Sequence, residues 1–329
     1  MNNLAMALEN QGKYTEAEAM HLQTLKLTET VLRKNHPDTL ASMNNLAESL
    51  RLQGKYTEAR AQAEIMHRQT LQLRETVLGK KHPDTLTSMN NLAISLRLQG
   101  KYAEAESMQL QTLQLRETVL GKDHPDTLGS MNNLAVLLRL QGKYAEAEAM
   151  HWQTLQLTET VLGKDHPVTL ASINNLAIAV EKQGKYVEAK VIHRQTLQLR
   201  KTVLGKYHPD TLASMNNLAE LLSLQGKYAE AEEMHRQTLQ LTETVLGKDH
   251  PDTFGSMNNL AVSLRLQGKY TEAEAMHRQT LKLTETVLGK DHPVTLACMN
   301  NLAMALDNQG KCAEAEAITN RLYSRNEIL

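Results

Sequence analysis

The chain repeats itself about every 42 residues. An Asn-Asn pair falls at 2/3, 44/45, 90/91, 132/133, 174/175, 216/217, 258/259 and 300/301, in steps of 42, 46, 42, 42, 42, 42 and 42 residues. Residues 122–163 and 248–289 differ at only five of 42 positions. A unit this short cannot bury an apolar face alone. Copied in tandem, it buries that face against its neighbours, and one core runs through the array. The repeat therefore predicts a single solenoid of eight repeats over residues 1–329, with the first repeat truncated. Met1 stands where Met43 and Met89 stand in later blocks, a few residues into the unit. The one long step reflects a four-residue insertion near 60–63, which is about one extra helical turn. It predicts a lengthened or bulged helix, not a break. The final segment, 313–329, diverges from the other blocks and reads as a partial cap.

Residues 125–163 show what each unit builds. Pro125 fits a first helical turn, where its missing N–H costs nothing, and Asp126 places a negative charge at the positive end of the helix dipole. Leu128, Met131, Leu134, Ala135 and Leu138 then recur at helical spacing. Gly142 stands where a left-handed residue can end this first helix, helix A. A second helix, helix B, begins near Tyr144. It carries Ala147, Met150, His151, Thr154, Leu155, Thr158, Val161 and Leu162 on a face roughly 160° wide. Such a face can touch both its own partner and the next unit. Gly163 ends helix B, and His166-Pro167 opens the next unit. All seven prolines follow a histidine in this way. Recurring Gly and Pro exclude a continuous coiled coil.

The pattern N-N-L-A-x-x-L-x-x-Q-G-K-Y-x-E-A-E, closing on V-L-G-K-D-H-P, resembles the tetratricopeptide repeat. The match is to the long 42-residue form found in kinesin light chains. The resemblance covers essentially the whole chain. It implies an all-α fold, an α-solenoid wound as a right-handed superhelix, and a concave groove lined by helix A. It also implies that Asn45, Asn91, Asn133, Asn175, Asn217 and Asn259 stand where such arrays hold peptides. The chain departs from the family pattern in one column of helix B. There His21, His67, His151, His193, His235 and His277 replace an aromatic residue, with Gln109 in the third block. Cys312 replaces the tyrosine of the last turn.

Composition narrows the function classes. A net charge of −1 with 22% charged residues leaves no basic footprint for nucleic acid, and 3% aromatic residues supply no stacking platform for bases. No apolar run reaches membrane-spanning length. Two cysteines make no disulfide framework and fit a reducing, cytoplasmic setting. Catalysis finds no support. Pairs such as Glu146 and Glu148 point about 200° apart on a helix and read as a solvated face. No nucleophile–base set or phosphate-cradling loop stands out, and no cofactor is expected. The histidine column places one ring per unit, on helices packed roughly 8–10 Å apart, whereas zinc needs nitrogens within about 2 Å of one ion. These histidines read as packed or hydrogen-bonded, with no metal. Loop histidines such as His124 and His166 read as caps or packing under the loop.

Two features point to a binding face. The recurring Asn-Asn pair needs a reason, because Asn is not a strong helix former. One account is structural, an amide bonding to the neighbouring repeat and holding the stack in register. The other is a ladder for an extended peptide backbone. Beside it, two columns vary inside an otherwise near-identical unit. The first reads Met6, Glu48, Ile94, Val136, Ile178, Glu220, Val262, Met304, and the second Glu9, Arg51, Arg97, Arg139, Glu181, Ser223, Arg265, Asp307. Arg51, Arg97 and Arg139 make a basic stretch beside Ile94 and Val136. Arginine recognises carboxylates with a bidentate fork. The expected partner is a protein or extended peptide, acidic with an apolar anchor, and the competing account is a merely solvated face. Trp152 stands in a tolerant helix B column and offers a second contact. The predicted role is a non-enzymatic binding scaffold, the sensor or partner-docking part of a larger protein. The alternative is a structural array that self-associates end to end, a contact that extends rather than closes.

Overall fold

The computed structural model describes residues 2–10, 14–53 and 57–326. Among the described residues there are sixteen α-helices and no strand. Met1, on which the reading of a truncated first repeat rests, lies outside them. Contacts divide the chain into two units, Met1–Gln183 and Gly184–Leu329. Unit 1 contains α1 (Asn2–Asn10), α2 (Tyr14–Leu32), α3 (Pro37–Gln53), α4 (Thr57–Leu78), α5 (Pro83–Leu98), α6 (Tyr102–Val119), α7 (Pro125–Leu140), α8 (Tyr144–Leu162) and α9 (Pro167–Lys182). Unit 2 contains α10 (Tyr186–Val203), α11 (Pro209–Leu224), α12 (Tyr228–Leu246), α13 (Pro251–Leu266), α14 (Tyr270–Val287), α15 (Pro293–Asn308) and α16 (Cys312–Asn326). Within each unit consecutive helices pack on one another. Each helix A also touches the next helix A, from α1 to α9 and again from α11 to α15. That is the stacking of helical hairpins expected of an α-solenoid.

Helix boundaries follow from local chemistry. His124 is extended (φ −71°, ψ 137°), and its Nδ1 accepts the Asp126 N–H at 3.2 Å, capping α7. His82, His166, His208, His250 and His292 cap their helices in the same way. The loop histidines are therefore N-caps. At the other end of α7, Gly142 adopts φ 80° and Lys143 N–H reaches back to Leu138 O at 2.9 Å. This six-to-one bond closes the helix. The inserted residues lie within a single helix, α4, which runs for 22 residues. Its Ala63 and Met66 are buried with Leu46 and Leu50 in one core cluster.

Close approach of the helices rests on small residues. Ala135 on α7 and Ala147 on α8 have no exposed surface, and Ala147 packs with Leu134 and Leu138. Three arginines, Arg74, Arg116 and Arg200, are buried where the sequence shows only a charged residue on a helix. Arg116 donates through Nη1 to Asp126 O and Ser130 Oγ, both at 2.8 Å, tying α6 to α7. Arg74 does the same from α4 to α5, at 2.8 and 2.9 Å. Arg200 repeats it from α10 to α11. Thr158, Thr242 and Thr284 fill that column elsewhere.

The Glu-x-Glu pairs require a correction, because the second glutamate is not merely solvated. Glu232 on α12 accepts from Gln267 at 2.6 Å and from Lys269 at 2.7 Å, both at the turn after α13. Glu274 accepts from Gln309 and Lys311 in the same manner at 2.8 and 2.7 Å. In unit 1, Glu106 pairs with Gln141 and Lys143. Where the glutamate is present, the Q-G-K turn thus pins a hairpin to the one before it; in α10 Lys190 takes that column, and Gln225 donates to Tyr186 O at 3.1 Å. The first glutamate of the pair stays outside and takes surface partners, as Glu314 does with Arg278 at 2.7 Å.

Candidate functional site

The candidate face lies on helix A of successive repeats, and its floor is a ladder of amides. In unit 1, Asn91 Nδ2 donates to Asn44 Oδ1, Asn133 Nδ2 to Asn90 Oδ1, and Asn175 Nδ2 to Asn132 Oδ1, each at 3.0 Å. In unit 2, Asn301 donates to Asn258 at 2.8 Å. The second asparagine of a pair is thus a donor, and the first asparagine of the preceding repeat is its acceptor. This is the structural account of the Asn-Asn pair. A carboxamide has two N–H groups and an oxygen with two lone pairs, so one rung does not exhaust it. The six asparagines expected to hold a peptide, from Asn45 to Asn259, are all half-buried on this face.

The histidine column lies beneath the ladder. His235 Nδ1 approaches Asn216 Oδ1 at 3.3 Å. Gln109, in the same column, donates to Asn90 Oδ1 and to Ser130 O, both at 3.2 Å. His67, His151 and His277 are fully buried, and neither ring nitrogen of any of them has a hydrogen-bond partner among the described residues. Burial pushes His67, His151, His235 and His277 down to a pKa of about 4, so these rings are neutral. The column thus combines packed rings, at His67, His151 and His277, with members that hydrogen-bond to the ladder, at Gln109 and His235. No group of three or more metal-binding side chains occurs among the described residues.

The variable columns flank the ladder. Arg51 is committed within its own helix, where its Nε donates to Glu48 Oε2 at 2.8 Å and its Nη2 to Glu48 Oε1. Arg97, one repeat on, is half-buried, and no acceptor holds its guanidinium among the described residues. Burial, then Arg51, then Arg139 lower its pKa, so two like charges stand near it. Arg139 is lowered by burial and partly restored by Glu181. Ile94 and Val136 are half-buried on the same helices. The expected basic stretch therefore narrows to Arg97 and Arg139, with Ile94 and Val136 beside them. Asn217 and Asn259 belong to unit 2. Trp152 is 44% exposed on α8.

Stacked hairpins with a fixed amide ladder and a variable row along each helix A define a repeat scaffold. Tetratricopeptide repeat models match residues 1–64, 85–126, 127–168, 169–244, 210–286 and 252–327. The chain belongs to the tetratricopeptide repeat family, whose arrays generally mediate protein interactions. No curated protein matches it. Among solved structures, a Podosopora anserina protein of nearly identical TPR-like repeats, assigned as a kinesin light chain, is 28% identical. It aligns over 62% of this chain and 96% of its own with a TM-score of 0.53. BtubC of P. vanneervenii aligns over 69% of this chain and 91% of its own, at 17% identity and a TM-score of 0.59. The apo quorum sensor NprR of B. thuringiensis aligns over 98% and 86%, at 16% identity and a TM-score of 0.67. The last two likenesses are of fold alone. No helix among the described residues is long and apolar enough to cross a membrane.

Proposed function

We propose that the protein is a non-enzymatic scaffold that binds an extended acidic peptide along the helix A face of unit 1. Arg97 carries this reading. It is a half-buried guanidinium near two others, with no acceptor among the described residues. An isolated charge in such a place is costly, and a carboxylate from a partner relieves it. Arg139 supplies a second contact, Ile94 and Val136 an apolar wall for an anchor residue, and the ladder asparagines a remaining N–H for peptide carbonyls. Arg51 contributes less, because Glu48 already occupies it. In this reading the array is the sensor or partner-docking part of a larger protein. Free Cys298 and Cys312 fit a reducing, cytoplasmic compartment. Selection from a displayed peptide library tests the reading. Enriched sequences combine Asp or Glu with one large apolar residue and lose at least tenfold in affinity for Arg97→Ala plus Arg139→Ala. Enrichment without acidic residues would overturn it.

Self-association is a second reading, favoured by Leu4 and Met6 on α1, each 55% exposed. Light scattering separates the two, since a mass that stays monomeric over a wide concentration range removes the second.

A further inference from the structure

One column of helix B reverses its charge in a single repeat. Seven of the eight repeats carry glutamate there, from Glu18 to Glu316, and α10 carries Lys190. The unit 2 equivalents show what the glutamate does. Glu232 accepts from Arg236 Nε at 2.9 Å and from Lys269 Nζ at 2.7 Å. Glu274 accepts from Arg278 Nε at 2.8 Å and from Lys311 Nζ at 2.7 Å. Each arginine also faces the first glutamate of the next helix B, Glu272 at 3.5 Å and Glu314 at 2.7 Å. Two cations and two carboxylates balance at each of these places.

Around Lys190 the same framework stands without its central carboxylate. Gln225 Nε2 donates to Tyr186 O at 3.1 Å, as Gln267 does to Tyr228 O and Gln309 to Tyr270 O at the same distance. The turn after α11 therefore lies on α10 as the later turns lie on α12 and α14. It brings Lys227 to Lys190, and Arg194 stands one helical turn along α10. Contact with Lys227, then partial burial and the charge of Arg194, push the Lys190 pKa down, and Glu230 raises it in part. Among the described residues, no carboxylate lies within ion-pair distance of Lys190, Arg194 or Lys227. Three cations thus gather near one carboxylate, Glu230, with two positive charges in excess. Two valines stand beside them. Val187 and Val191 are 79% and 52% exposed, in columns that read Ala229 and Glu233 on α12 and Thr271 and Ala275 on α14. With Lys190 and Arg194 they fall within an arc of about 100° on α10, and Glu188 falls outside it.

We infer that this face of α10 receives a phosphorylated segment of a polypeptide partner, its phosphoryl group on Lys190, Arg194 and Lys227 and an apolar neighbour on Val187 and Val191. A phosphoryl group carries close to two negative charges and three acceptor oxygens. It matches both the excess charge and the number of cations, whereas a single carboxylate leaves half the excess uncompensated. Arg194 can hold two of its oxygens in a bidentate fork, and the lysines act as point charges. The exposed valines favour a polypeptide carrier over free phosphate. The site uses none of the helix A residues, so it stands or falls separately from the acidic-peptide reading.

The test titrates the full chain into the dye-labelled peptide Gly-Leu-phosphoserine-Leu-Gly and follows fluorescence anisotropy at low salt, where surface charges are screened least. Matched peptides carry serine or glutamate at the central position. The phosphopeptide should bind saturably, the glutamate peptide at least tenfold more weakly, and the serine peptide not at all. Lys190→Glu should abolish binding. That variant restores the residue of the other seven repeats, so it should keep the parent's helical circular dichroism and melt no lower. Val187→Ala plus Val191→Ala should weaken the phosphopeptide at least threefold, and inorganic phosphate should compete at least tenfold more weakly than unlabelled phosphopeptide. Equal binding of the glutamate peptide, an undiminished response in Lys190→Glu, or no binding of the phosphopeptide would each overturn the inference. Inorganic phosphate competing as tightly as the peptide would overturn the polypeptide partner.

Discussion

Asn133 donates a side-chain N–H to Asn90 Oδ1 at 3.0 Å, from one repeat to the one before it. The same oxygen also accepts from Gln109 at 3.2 Å. One amide thus serves both the helix A ladder and the buried helix B column. Asn90→Ala leaves two partners short of an acceptor and should cost about 1–3 kcal/mol, more than Asn133→Ala, which removes one donor. Urea unfolding of the two variants measures the difference. Equal losses would mean that the shared oxygen is not the hub of the ladder.

The buried histidines set a pH window. His67, His151, His235 and His277 are pushed from 6.5 down to about 4 by burial. The folded state favours the neutral ring, so the stabilisation is full above pH 6.5. It is lost as pH falls towards 4, because the unfolded chain takes up the protons first. At full extent each ring accounts for about 3 kcal/mol. Glu232 and Glu274, held at about 2, act only below the ordinary glutamate range, so the histidines dominate between pH 6.5 and 4.5. Melting temperature should drop steeply over that interval. His151→Gln, which copies Gln109, should flatten the slope, and an unchanged slope would remove His151 from the account.

Arg33 stands where later repeats carry glycine, and it adopts φ 72° against 88° for Gly79. A positive φ strains a residue with a Cβ by roughly 1–2 kcal/mol. A Cβ built on Gly79 meets nothing within 4 Å, so the strain belongs to the backbone and not to crowding. Arg33→Gly should raise stability by about 1 kcal/mol, and Gly79→Ala should lower it by a similar amount. Thermal melts of both variants decide the point.

Much of this was legible in the sequence. Period, Pro and Gly placement and the apolar stripe specify the hairpin, because each acts locally and recurs. The roles of polar side chains were less legible, because they depend on what the next repeat presents. The spacing of Glu146 and Glu148 shows only that they point apart, and the reach of Gln and Lys from the following turn makes Glu148 and its equivalents pins. Arg116 looks like a solvated residue until Asp126 O and Ser130 Oγ come within reach. Within the candidate face, the Asn pair and the arginine column were visible. The commitment of Arg51 to Glu48 needed the side-chain geometry.

A bound peptide is expected to set a carboxylate against Arg97. A double-mutant cycle tests it directly, with calorimetric titration of a selected peptide and its Asp→Asn counterpart against the parent and Arg97→Ala. Close charge pairs at interfaces couple by about 1.5 kcal/mol or more, and for one of the peptide's acidic positions the cycle should return at least that value. Additive losses at every acidic position, with no coupling to Arg97, would contradict the account.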